Sequence, residues 1–333
     1  MPDHRLRLYA VLAAVLVLIV GLGCVVAFRQ PGAAAARTPL IAATQSAASG
    51  AGEPPAVPGT GKYYLGVSSD PDTLSDFDNA AALKQPGILG GYVAHEGELR
   101  DIIENSYHLA GTIPMVSWGV DFTGGTVVSG AKDAYLERQA QEVIAYGKPV
   151  FIRLDWEMNG SWYEQWGSGH VAPADYIAAW RHIRQIFWAA GATNAAFVWC
   201  PNVGQPSGTA SQQWYPGDSY VDWIGVDAYP QSNGASSLLY GPDGLDAMAN
   251  FAALRGKPTM MAEWAPTQPD VPQPFDLVFA WAQRHPDTVK ALVYFNYGSA
   301  QNDHFLTDHP VGAAEYRSLI AKNRAKIYGP GLS

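Results

Sequence analysis

The sequence predicts a (β/α)8 TIM barrel on three observations. After Lys62, apolar runs of strand length recur eight times, and patterns of helical period fall between them. The roughly 270 residues this stretch occupies match the ~250 typical of that fold. An open doubly wound sheet would share the alternation. No Gly-x-Gly-x-x-Gly or Gly-x-x-x-x-Gly-Lys-Ser/Thr follows any run, however, so the nucleotide sites common on such sheets have no support.

In order, the runs are Tyr63–Val67, Ile88–Ala94, Ile113–Trp118, Val150–Trp156, Ala195–Cys200, Val221–Tyr229, Thr259–Trp264 and Val289–Tyr297. Helical periodicity is clearest over Asp133–Tyr146, closed by Gly147, over Asp175–Ala190, closed by Gly191, and over Phe275–Arg284, stopped before Pro286. Weaker helical patterns cover Glu98–Leu109, Leu245–Leu254 and Ala313–Lys326, whereas Val203–Ser219 carries none.

Ahead of the barrel, Leu8–Phe28 holds no charged residue and is close to the ~20 residues that cross a bilayer as a helix. Residues 1–29 are therefore expected to be a signal peptide or membrane anchor, and 30–61, rich in Ala, Pro, Gly and Ser, a flexible linker. The barrel domain is expected at 62–333, secreted or held at the outer face of the plasma membrane. The N-terminal segment would contact the membrane if it is not cleaved.

A net charge of -9 argues against nucleic acid or anionic lipid as the partner, and a neutral polymer fits better. The chain has two cysteines, Cys24 in the apolar segment and Cys200, so no disulfide is expected within the domain, which must rest on packing. A monomer is expected.

The chemistry is expected of Glu157 and Glu263, each at the carboxyl end of a strand-like run. Active sites of this fold sit on that rim. Glycoside hydrolysis needs two carboxyl groups, one to protonate the leaving oxygen and one to attack or stabilise the anomeric carbon. Strand alternation sets Arg153, Asp155 and Glu157 on one face of the fourth run, a costly placement unless the groups are paired or lie at a functional rim. The plainer alternative is a buried Arg153–Asp155 ion pair with Glu157 capping the loop. On the seventh run the same alternation groups Thr259, Met261 and Glu263.

The segment Arg153–Trp166, RLDWEMNGSWYEQW, resembles the acid-bearing segment of glycoside hydrolase family 26, within the clan A barrels. Pro258–Glu263 resembles the family's nucleophile strand, Trp199-Cys200-Pro201-Asn202 its fifth strand end and Asp222–Tyr229 its sixth, so the likeness spans the domain. The resemblance implies a retaining endo-β-glycanase acting on β-1,4-linked polysaccharide by double displacement, with mannan first and mixed-linkage β-glucan a close second. It makes Glu157 the acid/base and Glu263 the nucleophile, standing about 5 to 5.5 Å apart, and Tyr229 the group that orients the nucleophile. Neither cofactor nor metal is needed, and His304 and His309 lack the spacing of metal ligands.

Two departures bear on the sugar. Trp156 stands where many members have His before the acid, and Gly119 stands beside Trp118 where mannanases often have His. Supporting roles are expected of Arg153 and Asp227. Sugar contacts are expected of Trp118, Trp162, Trp166 and Trp264 by stacking, and of Asn202, His95, Asn296 and Asp303 by hydrogen bonding. Cys200 reads as a small buried residue. A carbohydrate-binding barrel without turnover, displayed at the cell surface, is the alternative from a different class.

Overall fold

The computed structural model of the protein describes residues 56–230, 235–267, 269–298 and 303–330. The expected membrane segment, Cys24 and the linker up to residue 55 lie outside the described residues. Among the described residues no helix is long and apolar enough to cross a membrane.

Eight parallel strands form the barrel: β1 (Tyr63–Ser68), β2 (Ile88–Val93), β3 (Ile113–Trp118), β4 (Val150–Leu154), β5 (Ala195–Trp199), β6 (Trp223–Ala228), β7 (Thr259–Trp264) and β8 (Val289–Phe295). Each pairs with the next, and β1 pairs with both β2 and β8, which closes the sheet. A two-residue strand, β9 (Ile327–Tyr328), pairs with the start of β1. The strands are buried almost throughout, because one face fills the barrel and the other packs beneath the helices.

Between strands lie α1 (Leu74–Ala81), α2 (Arg100–Ile103), α3 (Asp133–Tyr146), α4 (Pro173–Ala190), α5 (Ala235–Tyr240), α6 (Leu245–Ala253), α7 (Gln273–Arg284) and α8 (Pro310–Asn323). Helices α3 and α4 stop where expected, at Gly147 (φ 70°) and Gly191 (φ 83°), which adopt the left-handed conformation that glycine tolerates. The expected Glu98–Leu109 helix shrinks to one turn continued by 3-10 backbone over Glu104–Ser106. The short α1 was not anticipated, although it buries Leu74, Phe77 and Ala81 at helical spacing. After β5 only a 3-10 turn, Ser211–Trp214, interrupts the loop.

Two local features set the rim. Strand β4 ends at Leu154 rather than running to Trp156, and Asp155 (φ 40°) and Glu157 (φ 54°) follow in left-handed conformations. Such backbone is unfavourable for residues bearing a Cβ and persists only where the surroundings hold it. Here Asp155 N–H donates to Trp118 O at 3.0 Å and Glu157 N–H to Cys200 O at 2.7 Å, tying the turn to β3 and to the end of β5. In β7 the register slips: Met261 pairs with Val226 and Glu263 with Asp227, so β7 holds one residue more than β6 over this step. Bulges of this kind re-aim a side chain.

Candidate active site

Glu157 and Glu263 both open onto the barrel mouth, each 6% exposed. Glu157 sits in a frame built by the loop that carries it. Asn159 reaches across to β5's loop, its side-chain amide donating to Asn202 O at 2.8 Å while its oxygen accepts Asn202 N–H at 2.9 Å. Asn202, held this way, donates from Nδ2 to Glu157 Oε1. The indole of Trp162 donates to Glu157 Oε2 at 2.8 Å. That indole lies against Gly160, where an added Cβ would come within 2.3 Å of the ring, so glycine is required for the approach.

Glu263 is tethered at both oxygens. Tyr229 donates to Oε1, while Oε2 accepts from Arg153 Nη1 at 2.9 Å and from the Tyr92 hydroxyl at 2.8 Å. Arg153 is fully buried and also bonds Ser117 Oγ at 2.9 Å and the carboxylate of Asp227. The other oxygen of Asp227 accepts from the thiol of Cys200 at 3.1 Å. Burial alone would pull the Arg153 guanidinium toward its neutral form, but the charge of Asp227 and then of Glu263 holds its pKa above the usual value.

The two acids therefore stand in different electrostatic settings. Burial first, and then the charge of Glu263, push the Glu157 carboxyl up to about 7, against the opposing pull of Asn202, Arg153 and Trp162. A carboxylic acid so placed keeps its proton near neutrality, while Glu263 meets three donors. Pairs of carboxyls whose surroundings separate their roles are what acid and nucleophile assignments require.

The structure brings Arg153 and Tyr229 to Glu263 and Asp227 to Arg153, while Asn202 and Trp162, expected as sugar contacts, bond Glu157 instead. Asp155 is a different matter. Its side chain accepts Val120 N–H at 2.6 Å, and the buried ion pair of Arg153 is made with Asp227 and Glu263 instead.

Several expected sugar contacts are corrected. Trp118 and Trp264 are fully buried on the outer side of the barrel. The Trp118 indole donates to Tyr135 of α3 at 3.0 Å, and the Trp264 ring packs on Phe275 of α7 and Tyr316 of α8. Each alternates with an inward neighbour, Ser117 or Glu263, and must point away from the mouth. Trp166, 3% exposed, backs the cleft wall, donating to Trp156 O at 2.8 Å and packing on Trp156 and Tyr163. Asn296 spends its amide on Ser69 Oγ and Leu306 N–H, which locks the end of β8 to neighbouring loops. Asp303 caps its own loop through Phe305 N–H at 3.1 Å, and His95 remains exposed, its ring centroid 6.0 Å from that of Trp166.

The two departures are physically linked. An added Cβ at Gly119 would meet the Trp166 ring at 3.0 Å, and Trp166 packs on Trp156, with ring centroids 5.3 Å apart. Trp156 in turn lies over the Arg153 guanidinium at 5.1 Å. Missed altogether in the sequence were Tyr92, Ser117 and Asn159, none of which carries a charge to mark it.

The family model described as glycosyl hydrolase family 26 matches residues 124–304, more than half of the chain. Endoglucanase H of Acetivibrio thermocellus is 38% identical over 167 residues, covering 46% of this chain and 18% of that protein. The β-1,3-xylanase TXYA of a Vibrio species is 27% identical over 220 residues, covering 61% and 44%. The chain thus spans less than half the length of either curated relative. In structure it resembles a modular endo-β-1,4-mannanase from Cellulomonas fimi, with a TM-score of 0.58 at 19% identity, covering 77% of this chain and 71% of that one.

Proposed function

The chain belongs to glycosyl hydrolase family 26 and is a glycoside hydrolase, and on that premise we propose that it is a retaining endo-β-glycanase with Glu157 as acid/base and Glu263 as nucleophile. The observation that carries this reading is the contrast between the acids: a Glu157 carboxyl raised to about 7 facing a Glu263 held by Arg153, Tyr92 and Tyr229.

In the first half-reaction Glu157 gives its proton to the glycosidic oxygen as an oxygen of Glu263 bonds to the anomeric carbon and the leaving sugar departs. In the second, water attacks that carbon, its proton passes to Glu157, and the bond to Glu263 breaks. Arg153 and Tyr229 fix the plane of the Glu263 carboxylate for attack, and Asn202 and Trp162 fix that of Glu157. Trp162, at 43% exposure, also offers an open indole face on which a sugar can stack beside the acid.

For the polymer, β-glucan stands ahead of the mannan first expected. Endoglucanase H has the higher identity over the matched stretch, and Gly119, packed beneath Trp166, stands where the resemblance leads one to expect a mannanase's histidine. The uncharged segment Leu8–Phe28 would deliver the domain outside the cell, where such polymers lie. The test is to incubate the protein, and its Glu157→Ala and Glu263→Ala forms, with lichenan, mannan, xylan and cellulose and to identify the oligosaccharides released. Release of glucan oligosaccharides by the wild type alone supports the reading. Binding without release would favour a non-catalytic carbohydrate-binding barrel.

A further inference from the structure

We propose that Tyr92 of β2 is a positioning residue for the reaction, holding the second oxygen of Glu263 and assisting its departure from the glycosyl-enzyme. This rests on Glu263 being the nucleophile. Tyr92 follows Gly90-Gly91 near the end of β2, and its hydroxyl donates to Glu263 Oε2 at 2.8 Å. Three rings fix the phenol: Trp156 at 5.5 Å, Tyr297 at 5.6 Å and Phe295 at 6.1 Å between centroids. Burial, and then the charge of Glu263, hold its pKa well above the ordinary value, so the group remains a donor wherever the enzyme works.

With Tyr229 on Oε1 and Tyr92 and Arg153 on Oε2, neither oxygen of Glu263 can rotate without breaking a bond to a different strand: β2 and β4 on one side, and the residue after β6 on the other. The consequence is larger in the second half-reaction. There the ester bond between Glu263 and the anomeric carbon breaks as the water oxygen bonds to that carbon and a water proton passes to Glu157. The electron pair of the broken bond stays on Glu263 and spreads over both oxygens. A phenol already aimed at Oε2 stabilises that charge as it forms, without reorganising. Arg153 divides its donors among Ser117, Asp227 and Glu263, so Tyr92 supplies the neutral donor that Oε2 otherwise lacks.

The experiment compares wild type, Tyr92→Phe, Tyr92→His and Glu263→Ala on dinitrophenyl β-cellobioside and β-mannobioside. These activated probes make the first half-reaction fast. Tyr92→Phe keeps the ring packing and is expected to lower kcat about 10- to 100-fold, the worth of one hydrogen bond to a charged group. KM should be unchanged or lower, and intact-mass measurement during turnover should find more of the chain carrying a glycosyl group than in wild type. Tyr92→His, which keeps a donor, should recover part of kcat, and it serves as the comparison should the Phe form not fold.

A folded Tyr92→Phe with kcat within twofold of wild type overturns the inference, as does a raised KM with unchanged kcat. If Glu263→Ala keeps activity within tenfold, the nucleophile reading itself fails. An inactive Glu263→Ala beside a fully active Tyr92→Phe removes only the role given to Tyr92.

Discussion

Arg153 of β4 and Glu263 of β7, 110 residues apart in sequence, meet in an ion pair of 2.9 Å whose guanidinium is wholly shielded from solvent. The same guanidinium holds Asp227, so one buried cation is shared by two carboxyl groups across the barrel. Removing it would strand both. Arg153→Met is expected to lower stability by about 3–5 kcal/mol, the cost of leaving buried charge without its partner. Urea unfolding at neutral pH measures this, and a loss below about 1 kcal/mol would mean that the network contributes little to the fold.

As the proposed acid/base, Glu157 should set the pH dependence of turnover. With its carboxyl raised to about 7 by burial and by Glu263, the protonated form needed to release the leaving sugar is lost as pH rises through that value. Activity should therefore fall on the alkaline side with a midpoint near 7, and Glu157→Gln should abolish that limb together with most activity on unactivated polymer. A pH–rate profile of kcat/KM on soluble glucan checks both.

The same group leaves a mark on stability. Because the folded state holds the Glu157 proton more tightly than the unfolded chain, with its ordinary value of 4.5, the group's contribution is fully present below about 4.5. It is lost as pH rises through about 7. Glu157→Gln should therefore be more stable than wild type at about pH 8, with the difference shrinking toward about pH 4.5. Denaturant midpoints at the two pH values read this out.

Trp162 and Trp264 should respond oppositely to truncation. Trp264 is fully buried among Phe275, Tyr294 and Tyr316, and Trp264→Ala should cost about 3–5 kcal/mol of stability. Trp162 is 43% exposed, so Trp162→Ala should change stability by only ~0.5 kcal/mol while raising KM up to about tenfold through lost stacking. It also removes a donor that favours the ionised form of Glu157, so the alkaline limb should move to higher pH. Thermal melts and kinetics on both variants separate the two roles.

The barrel could be read from the chain because strand alternation and helix stops are local signals. Gly147 and Gly191 end α3 and α4 where the pattern said they would. Alternation misled where it was extended past a strand's end. Asp155 seemed to share a face with Arg153, but left-handed backbone at Asp155 and Glu157 breaks the period, and each side chain is aimed by its own hydrogen bonds. The same rule, applied strictly, would have turned Trp118 and Trp264 outward, since each adjoins an inward residue. Tyr92 was illegible for another reason. Its partner, Glu263, lies 171 residues away on a strand that is not a neighbour, and only the closed sheet brings the two together.

The most direct measurement is to trap the enzyme with an activated 2-deoxy-2-fluoro cellobioside or mannobioside, digest it and locate the added mass. If Glu263 is the nucleophile, one glycosyl group is found on the peptide containing Pro258–Trp264, and it is absent from Glu263→Ala. A label on any other residue, or hydrolysis that yields the inverted anomer with no label at all, would contradict a double displacement through Glu263.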